Sequence, residues 1–256
     1  MRTKIRWAML AVVTVQFLTL VGCAASNQIS TEDSGTKADA ELARVSEVRR
    51  MLRSACGELR AVAAGQGNAD AQMDKARRET EEAMAKWQSI ESAHQREAPA
   101  AYRSHPDWHR AANEITLGIE EMRAEIVAGQ APLAFKTCGS TCGKFVELNE
   151  QASIRRTSDI LFHFRKAAKP LAEAVKAGDL ARLKEALGAL QRLRDDALSG
   201  PIGGTATSEQ KQQAMDEFSA AVDGFVYSIQ AGQTGDLATR YDIMMKAMER
   251  AYDLFL

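Results

Sequence analysis

The sequence predicts an all-α protein built as two tandem up-and-down four-helix bundles, the product of an internal duplication. Three observations predict this. Apolar residues step by three and four along most of the chain, as on one face of a helix. No stretch sustains the alternation of β-branched residues that a half-buried strand needs. Two of the apolar stripes recur at a fixed shift, each with its terminator. With only 5 prolines in 256 residues and abundant Ala, helix is the default state.

Helices are expected at 40–65, 69–95, 107–128 and 133–152, forming a first bundle over 40–152. A second bundle over 153–256 holds helices at 154–177, 179–198, 207–231 and 235–256. The stripes are plainest in Ile115, Ile119, Met122 and Ile126, in Met215, Phe218, Val222, Phe225 and Ile229, and in Leu237, Tyr241, Met244, Met248 and Phe255. Breaks fall at Gly65-Gln66-Gly67, Pro99 to Pro106, Gly129 to Pro132, Gly178-Asp179, Ser199 to Gly204 and Gly232 to Gly235. Asp107, Asp179 and Ser208 are suited to cap the helices that follow. Short connections make successive helices antiparallel.

The duplication is read from register. Ile115, Ile119, Met122 and Ile126 stand 103 positions before Phe218, Val222, Phe225 and Ile229. At the same shift Asn113-Glu114 meets Asp216-Glu217, and Ala128-Gly129-Gln130 meets Ala231-Gly232-Gln233. A Gly after the last apolar position stops a helix, so both the helix and its stop recur. Nearer the front of each half the shift is 112: Ser46, Val48, Leu52, Arg53, Ala55 and Leu59 meet Ser158, Ile160, Phe164, Arg165, Ala167 and Leu171.

The first residues have a different character. Arg2, Lys4 and Arg6 precede a mostly apolar run from Trp7 to Leu20, too short for a comfortable membrane span. The run ends in Leu20-Val21-Gly22-Cys23. Residues 1–22 thereby resemble a bacterial lipoprotein signal peptide. The resemblance implies cleavage before Cys23 and a diacylglyceryl thioether on its sulfur, with palmitate-type chains. Two or more acyl chains anchor stably where one is marginal. Ala24, where an Asp would favour retention, implies the outer membrane, with the body facing the periplasm. From the lipidated Cys23 to residue 39 only Ile29 is large and apolar, so 23–39 reads as a flexible tether.

The most distinctive motif in the body is Cys138-Gly139-Ser140-Thr141-Cys142-Gly143-Lys144-Phe145, near the start of the fourth helix. In the repeat Cys138 aligns with Tyr241 and Phe145 with Met248, which puts both on the core-facing stripe and Cys142 at its edge. Here the chain resembles the cytochrome c prime family, four-helix bundles with a C-x-x-C-H-x-x-F/Y haem-attachment motif on the last helix. The resemblance implies the fold for each half and a degenerate haem attachment at Cys138 and Cys142. Three residues separate the cysteines where the motif has two, and Gly143 stands where the axial His belongs. A c-type haem needs thioether attachment and an axial donor, so the motif speaks for the fold and against haem c.

Cys56 lies on the stripe of the first helix, between Leu52 and Leu59. If Val45 pairs with the region of Gln151 across antiparallel helices, Cys56 stands level with about residue 140. Cys56, Cys138 and Cys142 then share one core layer. An oxidising exported compartment favours a disulfide among them. Cys56 with Cys138, Cys56 with Cys142, and a local Cys138–Cys142 bridge all remain open, and a bridge between helices is worth roughly 2–4 kcal/mol.

Other candidates read as structural. His105 and His109 are four apart, but Pro106 puts the helix start between them, so no metal is expected there. His163 reads as a boundary histidine, and Met244, Met245 and Met248 as core filling. Arg49-Arg50 and Arg77 to Glu82 read as solvated helix faces. Net charge is −1, which offers no basic field for nucleic acid. No phosphate loop or Ser-His-Asp set nominates a reaction, so an enzyme is not expected. The main functional expectation is a non-catalytic, membrane-anchored interaction or scaffold module with an envelope protein partner. A c-type haem protein and a metal-binding or redox-thiol protein are the alternatives.

Overall fold

Helix starts and stops follow local chemistry. The computed structural model describes residues 31–201 and 206–256. Among them are nine α-helices: α1 (Thr31–Ala63), α2 (Ala69–Ala93), α3 (Trp108–Val127), α4 (Ala131–Gln151), α5 (Thr157–Ala168), α6 (Ala172–Ala177), α7 (Leu180–Leu198), α8 (Ser208–Gln230) and α9 (Leu237–Phe255). The protein is all-α. Asn68, Asp107 and Asp179 each accept a backbone N–H of the first turn through the side chain. Thr207, not Ser208, caps α8, with Gln210 completing a capping box. Gly129 and Gly232 end α3 and α8 at φ 71° and 70°, a backbone region that costs glycine little.

Two expected elements differ. The helix expected over 154–177 is divided into α5 and α6 by a 3-10 turn at Lys169–Leu171. Pro170 is the reason: it lacks an N–H and its ring clashes with the preceding turn. Residues 31–39, expected as tether, are the first turns of α1. Extending a helix already packed over its later turns costs far less than nucleating one, and Ala38 and Ala40 favour it. The signal peptide expected at 1–22, the lipidation expected at Cys23 and the tether expected up to residue 30 lie outside the described residues.

Residues 32–256 form one compact unit containing two apolar cores. α1 to α4 enclose the first, centred on Leu52, Leu59, Trp87, Ile115, Ile119, Met122 and Phe145. α5 to α9 enclose the second, centred on Phe164, Leu183, Phe218, Val222, Phe225, Met244 and Met248. α1 and α2 run antiparallel. Arg44 reaches Ser89, Glu47 meets Lys86, Ser54 meets Glu79, and Glu58 meets Lys75, one helix descending as the other climbs. No helix among the described residues is long and apolar enough to cross a membrane.

Candidate functional site

α1 and α4 bring three sulfurs together. Cys56 follows the buried stripe Val45, Val48, Leu52 and Ala55 of α1. Cys138 and Cys142 lie one turn apart on α4 and therefore share a face. The Sγ atoms of Cys56, Cys138 and Cys142 all lie within 4.8 Å of one another. The residues are 5%, 0% and 4% exposed. Cys56 and Cys138 form a disulfide across a Cα separation of 5.8 Å, and Cys142 keeps a free thiol. The Cys138 sulfur is 3.3 Å from the Leu52 carbonyl oxygen, which becomes an acceptor for its S–H once the bridge is open.

Tight packing holds this layer. A Cβ at Gly118 of α3 would stand 2.5 Å from Thr141 Oγ1, so the missing side chain lets α3 approach the turn of α4 that carries Cys142. Phe145, one turn beyond Cys142, meets Trp87 edge-on at 5.2 Å. On the other side Phe162 of α5 lies against Gly143.

Charge surrounds the free thiol. Arg49, expected on a solvated face, is 1% exposed. It belongs to the stripe rather than opposing it, three residues before Leu52, and the buried charge is matched. Its Nη1 donates to Asp159 Oδ1 at 2.7 Å, Asn149 Nδ2 donates to Asp159 Oδ2 at 2.8 Å, and the Tyr102 hydroxyl donates to Asn149 Oδ1 at 2.9 Å. Burial works against the Arg49 charge, and Asp159 more than restores it, so the guanidinium stays charged. Its Nε and Nη2 have no acceptor among the described residues. Arg53 and Arg165 flank the buried Tyr252 ring, with 5.5 and 5.7 Å to its centroid. Burial pushes the Cys142 thiol up, against the pull of Arg49, Arg165 and Arg53.

A reactive thiol is ordinarily low in pKa and partly exposed. Cys142 is neither, and the bridge beside it is buried as well. The geometry therefore suits a shielded centre whose sulfurs act on one another or on a small soft ion.

The remaining expected positions do not converge. His105 is buried and its Nδ1 accepts the Asp107 N–H at 3.0 Å, whereas His109 is exposed. His163 pairs with Glu150 at 2.6 Å on the surface. Met244 and Met248 are fully buried in the second core and Met245 packs at its margin. Arg77 pairs with Asp74 and Glu81 on an exposed face. No C-x-x-C-H spacing occurs at Cys138 and Cys142, and no histidine joins the three sulfurs. The arginine wall was not legible in advance. Arg49 carried a positional hint, but Asp159, Arg165 and Tyr252 arrive from the second half of the chain.

Set against family models, curated proteins and solved structures, the chain matches none of them.

Proposed function

We propose that this chain is a helical lipoprotein whose distinctive chemistry is a buried thiol centre of Cys56, Cys138 and Cys142, serving as a redox or metal-binding site. The observation that carries this reading is the convergence of three sulfurs within 4.8 Å in a core layer. A staple needs two cysteines. The third, Cys142, could be replaced by any small apolar residue if packing were its only task. Its presence beside a bridge supports a centre with two states. In one, the Cys56–Cys138 disulfide ties α1 to α4. In the other, an external dithiol supplies two electrons and two protons, the sulfur–sulfur bond breaks, and three thiols share the layer.

The wider frame belongs to the same reading. Cys23 carries the lipid, the outer membrane holds it, and the body faces the periplasm, where an envelope protein is the partner. We read the halves as duplicated bundles, supported by burial of Ile115, Ile119, Met122 and Ile126 and equally of Phe218, Val222, Phe225 and Ile229. Each half spends its internal space on packing. Haem has no place in this reading, since Cys138 is bonded to Cys56 and Trp87 and Phe145 fill the neighbouring core. No enzymatic turnover is proposed. A purely passive scaffold would leave Cys142 without a task.

The test is a reductive titration of the natively exported protein, with thiols counted and helix content followed by circular dichroism. The expected result is a reversible two-electron step that releases two thiols while the helices persist. Reduction that occurs only with unfolding, or three free thiols in the starting material, would overturn the proposal.

A further inference from the structure

The arrangement around the three sulfurs goes further than a redox pair requires. We infer that the reduced trio binds a single Cu(I) ion through three thiolates, with Arg49, Arg53 and Arg165 as a wall that balances the negative charge. This inference rests on the thiol reading above and names its ligand.

The first support is the donor set. Cys56, Cys138 and Cys142 are soft donors, already gathered within 4.8 Å and fixed on two helices. Soft thiolates select Cu(I) and Zn(II) over harder ions. Structural zinc sites take four ligands, and three-ligand zinc sites keep an open position for water. No His, Asp or Glu joins the trio among the described residues, and burial at 5% or less leaves no open position. Cu(I) is satisfied by three thiolates and needs neither.

The second support is electrostatic and independent of the sulfurs. Three thiolates around one Cu(I) carry two net negative charges. In a core this is costly unless cations stand close. Arg49 and Arg53 precede Cys56 by two turns and one turn on the same face of α1, and Arg53 is shared with Asp253. Arg49 is fully buried, yet only its Nη1 is engaged, by Asp159. Two of its guanidinium nitrogens thus retain donor capacity in a dry environment. Asp159 alone would satisfy a guanidinium that served only as a tie between helices, at much lower desolvation cost nearer the surface. Arg53 and Arg165 both lie over the buried Tyr252 ring, which gathers the two guanidinium groups at one place.

The steps balance. An external dithiol reduces the Cys56–Cys138 bridge, becoming a disulfide itself and leaving a proton on each released sulfur. Cu(I) then enters, three S–H bonds break, three copper–sulfur bonds form, and three protons leave to solvent. No electron moves in the second step.

The experiment uses the full chain, reduced with a phosphine under anaerobic conditions. Cu(I) is supplied as its bicinchoninate complex, which colours the free pool. Zn(II) is tested in parallel, and circular dichroism confirms the fold. The expected result is withdrawal of one Cu(I) per chain from the chelator, with a new ultraviolet sulfur-to-copper band. Zn(II) should neither displace it nor be retained on gel filtration. Cys142→Ser, which keeps both bridge cysteines, should weaken retention by more than the roughly 10–100-fold expected for an outer-shell change. Arg49→Met should weaken it within that range. Reduced, folded protein with three titratable thiols that leaves copper with the chelator would overturn the copper site and leave the thiol reading standing. So would equal retention by Cys142→Ser, or preference for zinc. A bridge that opens only when the helices melt would overturn both.

Discussion

Asp159 sits where one side chain decides the fate of several others. It accepts from Arg49 and from Asn149 while only 4% exposed. Removing one partner of a buried ion pair strands the other charge, at about 3–5 kcal/mol. Asp159→Ala should therefore lower unfolding free energy in urea by about that amount. Replacing both partners, Arg49→Met with Asp159→Leu, should recover most of it, since an apolar pair needs no matching charge. A single variant as stable as the parent would contradict the assignment. His105 gives a prediction with a pH sign. Burial, followed by the opposing charge of Asp107 and the repulsion of Arg110, leaves its pKa below the ordinary value. Below about pH 6.5 the unfolded chain takes up the proton first. The stability contributed by neutral His105 is complete above that pH and is lost as pH falls through the lower folded value. Unfolding curves of the parent and of His105→Gln should show the parent's relative stability falling between neutral pH and about pH 5. A pH-independent difference would remove the argument. At this scale the sequence was partly legible. Cys56, Cys138 and Cys142 stood out because cysteine is informative at any position. Arg49 was misread because a charged residue on an apolar stripe is ordinarily solvated, and its partner lies 110 residues away.

Helix packing turns on how closely backbones approach. Gly118 of α3 faces Thr141 of α4 with no room for a methyl group, whereas Gly57 of α1 has nothing within 4 Å of its would-be Cβ. Gly118→Ala should destabilise by about 1–3 kcal/mol, because a rigid turn of α4 must shift. Gly57→Ala should stabilise by about 0.5–1 kcal/mol, because it only restricts the unfolded chain. Thermal or urea unfolding of the two variants gives opposite signs if α3 and α4 meet as described, and like signs if they do not. Most helices could be placed from sequence, since the three-and-four spacing and the Gly stops are local. The division of α5 from α6 was missed although Pro170 was in plain view. The apolar stripe runs on through Leu171, Ala174 and Val175, and periodicity outweighed the missing N–H.

At the scale of the whole molecule, what matters is how the two cores communicate. The ties between α1 and α9, Arg53 to Asp253 and Arg60 to Glu249, each keep one partner in solvent and are worth about 0–1 kcal/mol. The buried Arg49–Asp159 pair joins α1 to α5 and is the stronger link. Trp87 and Trp108 both belong to the first core, and the third Trp of the chain, Trp7, lies in the N-terminal 1–22 segment. Among the described residues tryptophan fluorescence reports the first core, and circular dichroism reports both. In the parent the two unfolding curves should coincide. In Asp159→Ala they should separate. Separate curves in the parent would mean that the cores fold independently. Such coupling was out of reach of sequence, because local periodicity says which face of each helix is buried and nothing about which helices of the two halves meet.

Cys56, Cys138 and Cys142 form one shielded centre. Differential alkylation with peptide mass mapping probes this: the protein, purified without reductant, is alkylated folded, then unfolded, then reduced. None of the three should be modified in the folded protein. Cys142 is modified on unfolding, and Cys56 and Cys138 only after reduction, their peptides linked beforehand. Modification of Cys142 in the folded protein, or of all three without reductant, would contradict it.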